Sequence, residues 1–459
     1  MFEQTDAQLF FPFFADRNLI VQRHAGQISS DAGLLPIRQL DQRLHFTERL
    51  AAGLADDRHE PQHTQLEMLR QRLYGILADY EDCNDHDTLR DDPIFKLLAD
   101  RLPEDDPLAS QPTLSRFENA VTIDTLWQTL DFLTTTGIER LRDKHGGQLP
   151  DQLTLDLDAT DDPTHGQQQL ALFHGYYEQH QYFPIVISEP TTQHVFFAGL
   201  RPGAVHAAHG ADDDVQFVVD RLRQARADVA IHIRGDSGFG VPRMYKICEQ
   251  NRLTYTFGIG ANKRLQARAQ PLLERAVAEY ERTGEKQRLF THFAYQAGSW
   301  EHPRMVLAKA ECQAAGTNLR FVVTNLAVNS DADAERVYDD YIQRGTSEQR
   351  FDELKNGLHA DRLSCHRFVA NFWRLLLHTA AFNLLNWLRD DPQVPAELRT
   401  AQPATWRSRL IKVAATVIQS ARRVIVAIAG QWPHWPNYVA VARRSIALPE
   451  RVGALPAGP

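Results

Sequence analysis

Along the first 150 residues, apolar side chains recur at spacings of three and four through Ala32–Leu50, Gln65–Asp79 and Ile123–Leu141, which predicts a helical N-terminal domain over 1–150. Within it, Ser110–Ala120 carries a Pro, a candidate Thr113 N-cap and then Arg116, the form of an ordinary capped helix or of the entry to a DNA-reading one. At Leu153 the period falls to two. Leu153, Leu155 and Leu157 alternate with Thr154, Asp156 and Asp158, as in a strand with one apolar face. Strands are also predicted over Tyr182–Ser188, Val195–Leu200, Val229–Gly235 and Leu253–Ile259, with helices over Asp213–Ala227 and Val241–Asn251. Early strands followed by alternating helix and strand make a mixed α/β sheet covered by helices, the first part spanning 151–262.

The pattern changes again over 263–329. After a charged helix (Leu272–Arg282), short strands are predicted at Leu289–Tyr295, Arg304–Ala310 and Leu319–Thr324, an antiparallel unit inserted into the α/β domain. That domain resumes over 330–395. Its Pro-free stretch Tyr341–Lys355 is expected to be helical despite Gly345, and Phe368–Leu388 is a long apolar helix. Arg374, His378, Asn383 and Asn386 interrupt the latter, which makes it a buried helix and not a membrane span. In the final segment, 396–459, Leu410–Ile428 is expected to form strands, and the Pro/Gly/Ala-rich tail after Leu448 to be disordered.

Composition narrows the class without naming it. A chain of 459 residues, 43% hydrophobic and 24% charged, is an ordinary globular protein of two or three domains. MFEQTDAQLF has no basic n-region, and the four cysteines lie far apart without a CxxC pair, so reduced thiols in a cytoplasm are expected and a zinc site is not. The net charge of −9 hides an asymmetry. Ala401–Pro449 has no acidic residue but contains Arg407, Arg409, Lys412, Arg422, Arg423, Arg443 and Arg444, a segment able to track a phosphate backbone.

Candidate chemistry sits at strand ends. Asp158 and Asp236 each close a strand before a turn. Glu348 lies in the predicted helix, where Tyr341, Arg344, Glu348 and Lys355 fall at i, i+3, i+7 and i+14 on nearly one face. Three converging carboxylates would hold two magnesium ions about 3.5–4 Å apart, and oxygen-only ligands suit magnesium or manganese. Asp156 shares the strand face of Asp158 and is either a group supporting it or a plain polar-face residue; Asp161 and Asp162 follow in the turn. His165, Gln167 and Glu353 are expected to be solvated. Gly235-Asp236-Ser237-Gly238 also spells the nucleophile motif of trypsin-like proteases, with His206 and His209 upstream. Fewer than thirty residues between His209 and Ser237 leave no room for the two barrels such a triad needs.

LDLDATDD (Leu155–Asp162), IRGDSGFG (Ile233–Gly240) and Y-x2-R-x3-E-x6-K (Tyr341, Arg344, Glu348, Lys355) together resemble the DDE transposases of bacterial insertion sequences, most closely the insertion-sequence 1380 family within the wider YREK-signature group. Weaker similarity covers YEDCNDHDTLRDDPIF (Tyr80–Phe95) and AGSWEHPR (Ala297–Arg304). The resemblance implies an RNase H-like catalytic domain interrupted by a β-rich insertion and preceded by a helical domain that binds DNA. It also implies Asp158, Asp236 and Glu348 as catalytic and metal-holding residues, with Tyr341, Arg344 and Lys355 on the DNA backbone. Relatives cut through a hairpin intermediate and stack a flipped base on a Trp of the insertion, for which Trp300 is the candidate, with cross-strand packing as its alternative role. The implied partners are double-stranded DNA, as terminal inverted repeats and target, and a second copy of the chain. The setting would be the bacterial nucleoid, and the cofactor Mg2+, with Mn2+ able to substitute. Two other readings are a nuclease on the same fold that cuts without joining strands, and a decayed, non-catalytic DNA-binding relative.

Overall fold

The computed structural model describes residues 8–11, 19–22 and 26–451. The last residues of the expected disordered tail, and most of MFEQTDAQLF, lie outside them. An eight-stranded mixed sheet forms the centre. In chain order its strands are β1 (Gln152–Ala159), β2 (Ile185–Ser188), β3 (Val195–Gly199), β4 (Ala230–Gly235), β5 (Thr254–Ile259), β6 (Gln287–Tyr295), β7 (Arg304–Gln313) and β8 (Gly316–Thr324). Their spatial order is β6-β7-β8-β5-β4-β1-β2-β3. β1 runs parallel to β4, which is parallel to β5, while β2 and β3 meander antiparallel on the other side of β1. Leu153, Leu155 and Leu157 point into the core as the period of two requires.

The insertion expected over 263–329 is continuous with this sheet. Its helix α1 (Lys263–Thr283), capped by Asn262, is longer than the charge pattern suggested, and β8 pairs antiparallel with β5, so the three strands widen the existing sheet. Helix α2 (Asp331–Ile342) covers one face of the extension. Val337 and Tyr338 pack there on Phe290, Leu307 and Val322, while Leu265, Ala269, Leu272 and Ala276 of α1 join the main core.

The helix expected over Tyr341–Lys355 is broken. α2 ends at Ile342, a bend follows, α3 spans Gly345–Asp352, and the chain then widens into a π-type turn over Glu353–Gly357. Gly345 is a poor helix residue, and tighter bonds from Arg344 N–H to Tyr341 O (3.1 Å) and from Ser347 N–H to Arg344 O (2.8 Å) carry the chain round the bend.

The N-terminal helices share one core with the sheet. Ile123–Lys144 lies on β3, where Gly137 lets the Phe196 ring come so close that a Cβ would stand 2.5 Å from it. Packed beside that helix, α4 (Phe368–Arg389) closes the open edge of the sheet. Asn383 accepts from Val195 N–H (2.9 Å) and donates to Val195 O (2.8 Å), and Asn386 donates to Gln193 O (2.9 Å). The two asparagines in an apolar helix thus satisfy backbone groups that an edge strand leaves unpaired. The YEDC segment is structural in the same sense: Arg374 of α4 reaches Asp82 (3.0 Å), and Arg72 donates to Glu81 O (2.7 Å) and to buried Glu118 (2.7 Å). Helix Gln111–Asn119 starts one turn earlier than a Thr113 cap would allow, with Ser110 at its N-cap position.

Of the basic C-terminal residues, several are consumed inside the protein. Arg407 pairs with Asp79, Lys412 with Asp31 (2.8 Å), Arg444 with Asp391 (2.6 Å) and Arg409 more loosely with Glu397 (3.9 Å), while Arg422, Arg423 and Arg443 stay exposed. The strands expected here are a hairpin of Ala415–Ser420 and Arg423–Ile428, preceded by a π-type turn over Arg407–Ile411. All four cysteines are free thiols, and among the described residues no helix is long and apolar enough to cross a membrane.

Glu353 corrects an expectation. It is 5% exposed and forms a two-pronged pair with Arg389 of α4 (2.6 and 3.1 Å), because the π-type turn rotates it inward. Removing one partner of a buried pair strands the other charge. We expect Glu353→Ala to lower stability by about 3–5 kcal/mol in urea titrations. Glu348→Ala, whose side chain is 55% exposed, should change it by less than about 1 kcal/mol.

Candidate active site

Parallel pairing of β1 with β4 sets Asp156 opposite Arg234. The two side chains are buried and joined by two bonds, Nε to Oδ1 (2.7 Å) and Nη2 to Oδ2 (2.9 Å). The same Asp156 Oδ2 accepts from the Ser347 hydroxyl (2.6 Å), and Arg234 Nη1 donates to Asp340 O (2.5 Å). One ion pair therefore ties both strands to α2 before the bend and to α3 after it.

Two residues beyond that pair on each strand stand Asp158 and Asp236, at the same end of the sheet. One residue beyond Ser347 stands Glu348. Asp158 accepts from Ala159 N–H (2.9 Å), and Asp236 from Gly238 N–H (2.9 Å) in the turn that follows β4. Burial, with the nearby charges of Asp236 and Glu348, pushes the Asp158 carboxyl up to about 7 against the opposing pull of Arg344. Glu348 is held by Arg344 Nη2 (2.6 Å). Arg344 lies 5.8 Å from the Tyr341 ring centroid and is only 11% exposed; burial opposes its charge, but Tyr341, Glu348 and Asp158 raise its pKa overall. The Tyr341 hydroxyl reaches the turn after β4. A Cβ at Gly258 would meet that hydroxyl at 2.8 Å and Ser237 N at 2.9 Å, so glycine is required there. Lys355, carried round by the π-type turn, donates to Asp161 O (2.7 Å) and Oδ1 (3.3 Å).

Six of the seven expected site residues thus gather at one end of the sheet, although the single helical face expected for four of them does not exist. Trp300 does not join them. It is 8% exposed, packed edge-on against Tyr245 (5.3 Å) and Tyr295 (5.6 Å) with Arg304 over its face (5.7 Å), so it fills the packing role. Two residues of the site are not singled out by the sequence reading: Arg234 and Ser347. Arg234 had a visible signal, since it precedes Asp236 by the two residues that separate Asp156 from Asp158.

The donor set fits a hard divalent cation. It is all oxygen, and the unbalanced negative charge felt by Asp158 is what a cation would relieve. Among the described residues, only Asp79, Glu81 and His359 bring three ligand atoms within 4.8 Å of one another. Asp79 there is already bonded by Arg407 and His359 in an ion-pair network of its own. Asp158, Asp236 and Glu348 stand farther apart, with Glu348 drawn to Arg344.

The family model for transposase DDE domain group 1 matches residues 11–448. The chain belongs to that family. No curated protein matches it. Among solved structures, a piggyBac transposase synaptic complex with hairpin DNA aligns over 78% of this chain and 74% of its own, at 10% identity and a TM-score of 0.39. As a member of the DDE transposase family, the protein is assigned to the DNA-cleaving enzymes by its sequence as a whole, independently of the geometry above.

The raised Asp158 pKa has a measurable sign. The folded state holds this proton more tightly than the unfolded chain does, so the stabilisation is complete below the ordinary carboxyl range and is lost as pH rises through about 7. Asp158→Asn removes the penalty. We expect the metal-free variant to exceed the parent in stability at pH 8 by on the order of 1–3 kcal/mol, and to match it near pH 4. Equal stabilities at both pH values in denaturant titrations would contradict this electrostatic account.

Proposed function

We propose that this protein is a metal-dependent DNA transposase of the cut-and-paste type, with Asp158, Asp236 and Glu348 as its catalytic carboxylates. The observation that carries the reading is the pair of acids at the ends of adjacent parallel strands, with the helix of Glu348 fastened over them through Ser347 and Asp156. The order β3-β2-β1-β4-β5, with β1, β4 and β5 parallel, supports an RNase H-like catalytic domain, into which α1 and β6–β8 are inserted.

Asp158, Asp236 and Glu348 would hold Mg2+, or Mn2+ in its place. Bound there, divalent metal supplies charge stabilisation at the attacking and leaving oxygens of an in-line displacement. The rest falls to the chain's own groups. Arg344 and Lys355 carry the positive charge that meets phosphate oxygens, and the planar guanidinium can grip two of them at once. Tyr341 fixes the position of Arg344 by packing beside it. Water attacks first to free a 3′-OH at the element's end, and that hydroxyl then attacks the opposite strand or the target, with no covalent enzyme intermediate. A hairpin intermediate and a homodimer holding both ends belong to this reading. DNA contacts outside the site would come from the exposed Arg422, Arg423 and Arg443 and from the N-terminal helices.

The test is cleavage of DNA carrying the sequences that flank the gene, with Mg2+, by the parent and by Glu348→Gln. We expect nicks at a fixed terminal position, loss of activity on chelation, and a decrease of at least about 10²–10³-fold in the variant. The reading is falsified if Glu348→Gln cuts and joins these ends as well as the parent does.

A further inference from the structure

Between His145 and Leu200 the chain contains no Lys or Arg, yet this stretch borders the carboxylates. It emerges from β1 as a small three-stranded sheet, in which Leu172–His174 and Gln179–Tyr182 form a hairpin whose second strand pairs with Asp162–Pro163. Gln179 donates to Asp161 Oδ2 (3.0 Å), the residue that also holds Lys355, so the hairpin is fastened to the site. Its tip is aromatic and open. Tyr176 is 84% exposed and Phe173 53%. Tyr176 stands edge-on to Tyr177 at 5.0 Å, which in turn packs against His174 (5.1 Å) and Phe183 (6.0 Å). This row of rings runs from solvent to the catalytic end of the sheet: the Tyr177 phenol is raised mainly by burial and then by Asp161, with Tyr176, Asp236 and Asp158 adding to it.

We propose that the Leu172–Tyr182 hairpin is a stacking platform for DNA, with Tyr176 packing on an unpaired base beside the phosphate that is cut. The inference rests on the transposase reading above. The cation at the inner end of the row, Arg201 over the Phe183 ring (5.4 Å), is buried, so the exposed rings cannot grip a backbone by charge, whereas every base offers them a face. Their place at the mouth of a site that handles phosphate selects a nucleotide as occupant. Tyr177, braced by His174 and Phe183, keeps the outer ring in position. Trp300 is buried and offers no such face.

The test combines substitution with abasic DNA. Cleavage of end DNA is compared for the parent, Tyr176→Ala and Tyr176→Phe, on intact ends and on ends lacking one base at each of the three positions either side of the cut. We expect Tyr176→Ala to cut intact ends about 10–100-fold more slowly and Tyr176→Phe to remain within about twofold of the parent. At one abasic position, parent and Tyr176→Ala should become equal, because the stacking partner is gone. The inference is overturned if Tyr176→Ala cuts intact ends like the parent. A loss that persists at every abasic position also overturns it, and assigns the ring to packing or to contact between copies. A parent that cuts no end DNA under Mg2+ or Mn2+ overturns the transposase reading and this inference with it, whereas cutting without dependence on Tyr176 overturns this inference alone.

Discussion

The arrangement of the three carboxylates at the end of the sheet depends on the ion pair between Asp156 and Arg234. Burying two charges is costly, and such a pair adds little net stability compared with apolar residues of the same size. Its value here is geometric. A slip of one residue between β1 and β4 would turn one of the two charges into the leucine face and part it from the other, so the pair excludes the wrong register. In the correct register Asp158 and Asp236 follow side by side. Because Asp156 also holds Ser347, and Arg234 also holds the Asp340 carbonyl, the helical segments carrying Tyr341 and Glu348 are aligned by the same two side chains.

Much of this was legible in the sequence, and the parts that were not share a cause. Leucines at every second position from Leu153 to Leu157 mark a strand whose far face must carry Asp156 and Asp158, and the equal offset of Arg234 from Asp236 marks its neighbour. Those readings use a period of two, which holds whatever the strand packs against. The face of Tyr341, Arg344, Glu348 and Lys355 used a helical period over fourteen residues, and that angle survives only in an unbroken helix. One bend just before Gly345 and one π-type turn reset it twice. The residues still converge, since the bend and turn wrap the chain around the sheet end in place of laying it straight across.

Burial of polar groups was the least legible feature. Glu353 looks solvated when only its neighbours in sequence are considered, but its partner Arg389 lies on another helix. Trp300, flanked by Ser299 and Glu301, likewise looks available until Tyr245 and Tyr295 arrive from distant elements. The basic segment from Arg407 to Arg444 misleads in the same direction. Charge counted along a chain says nothing about which cations already have partners, and Asp79, Asp31 and Asp391 claim three of them.

On the proposed reading, the pairing of Glu348 with Arg344 sets an order of events. Glu348 cannot serve a cation fully while it neutralises Arg344, and Arg344 cannot serve a phosphate fully while it neutralises Glu348. Each partner restrains the other in the DNA-free protein. A phosphate arriving at Arg344 supplies the negative charge that Glu348 gives up, and the freed carboxylate can then complete the oxygen set with Asp158 and Asp236. DNA and metal would thus favour each other's binding through one displaced ion pair. The catalytic set would be complete only where a strand is already in place.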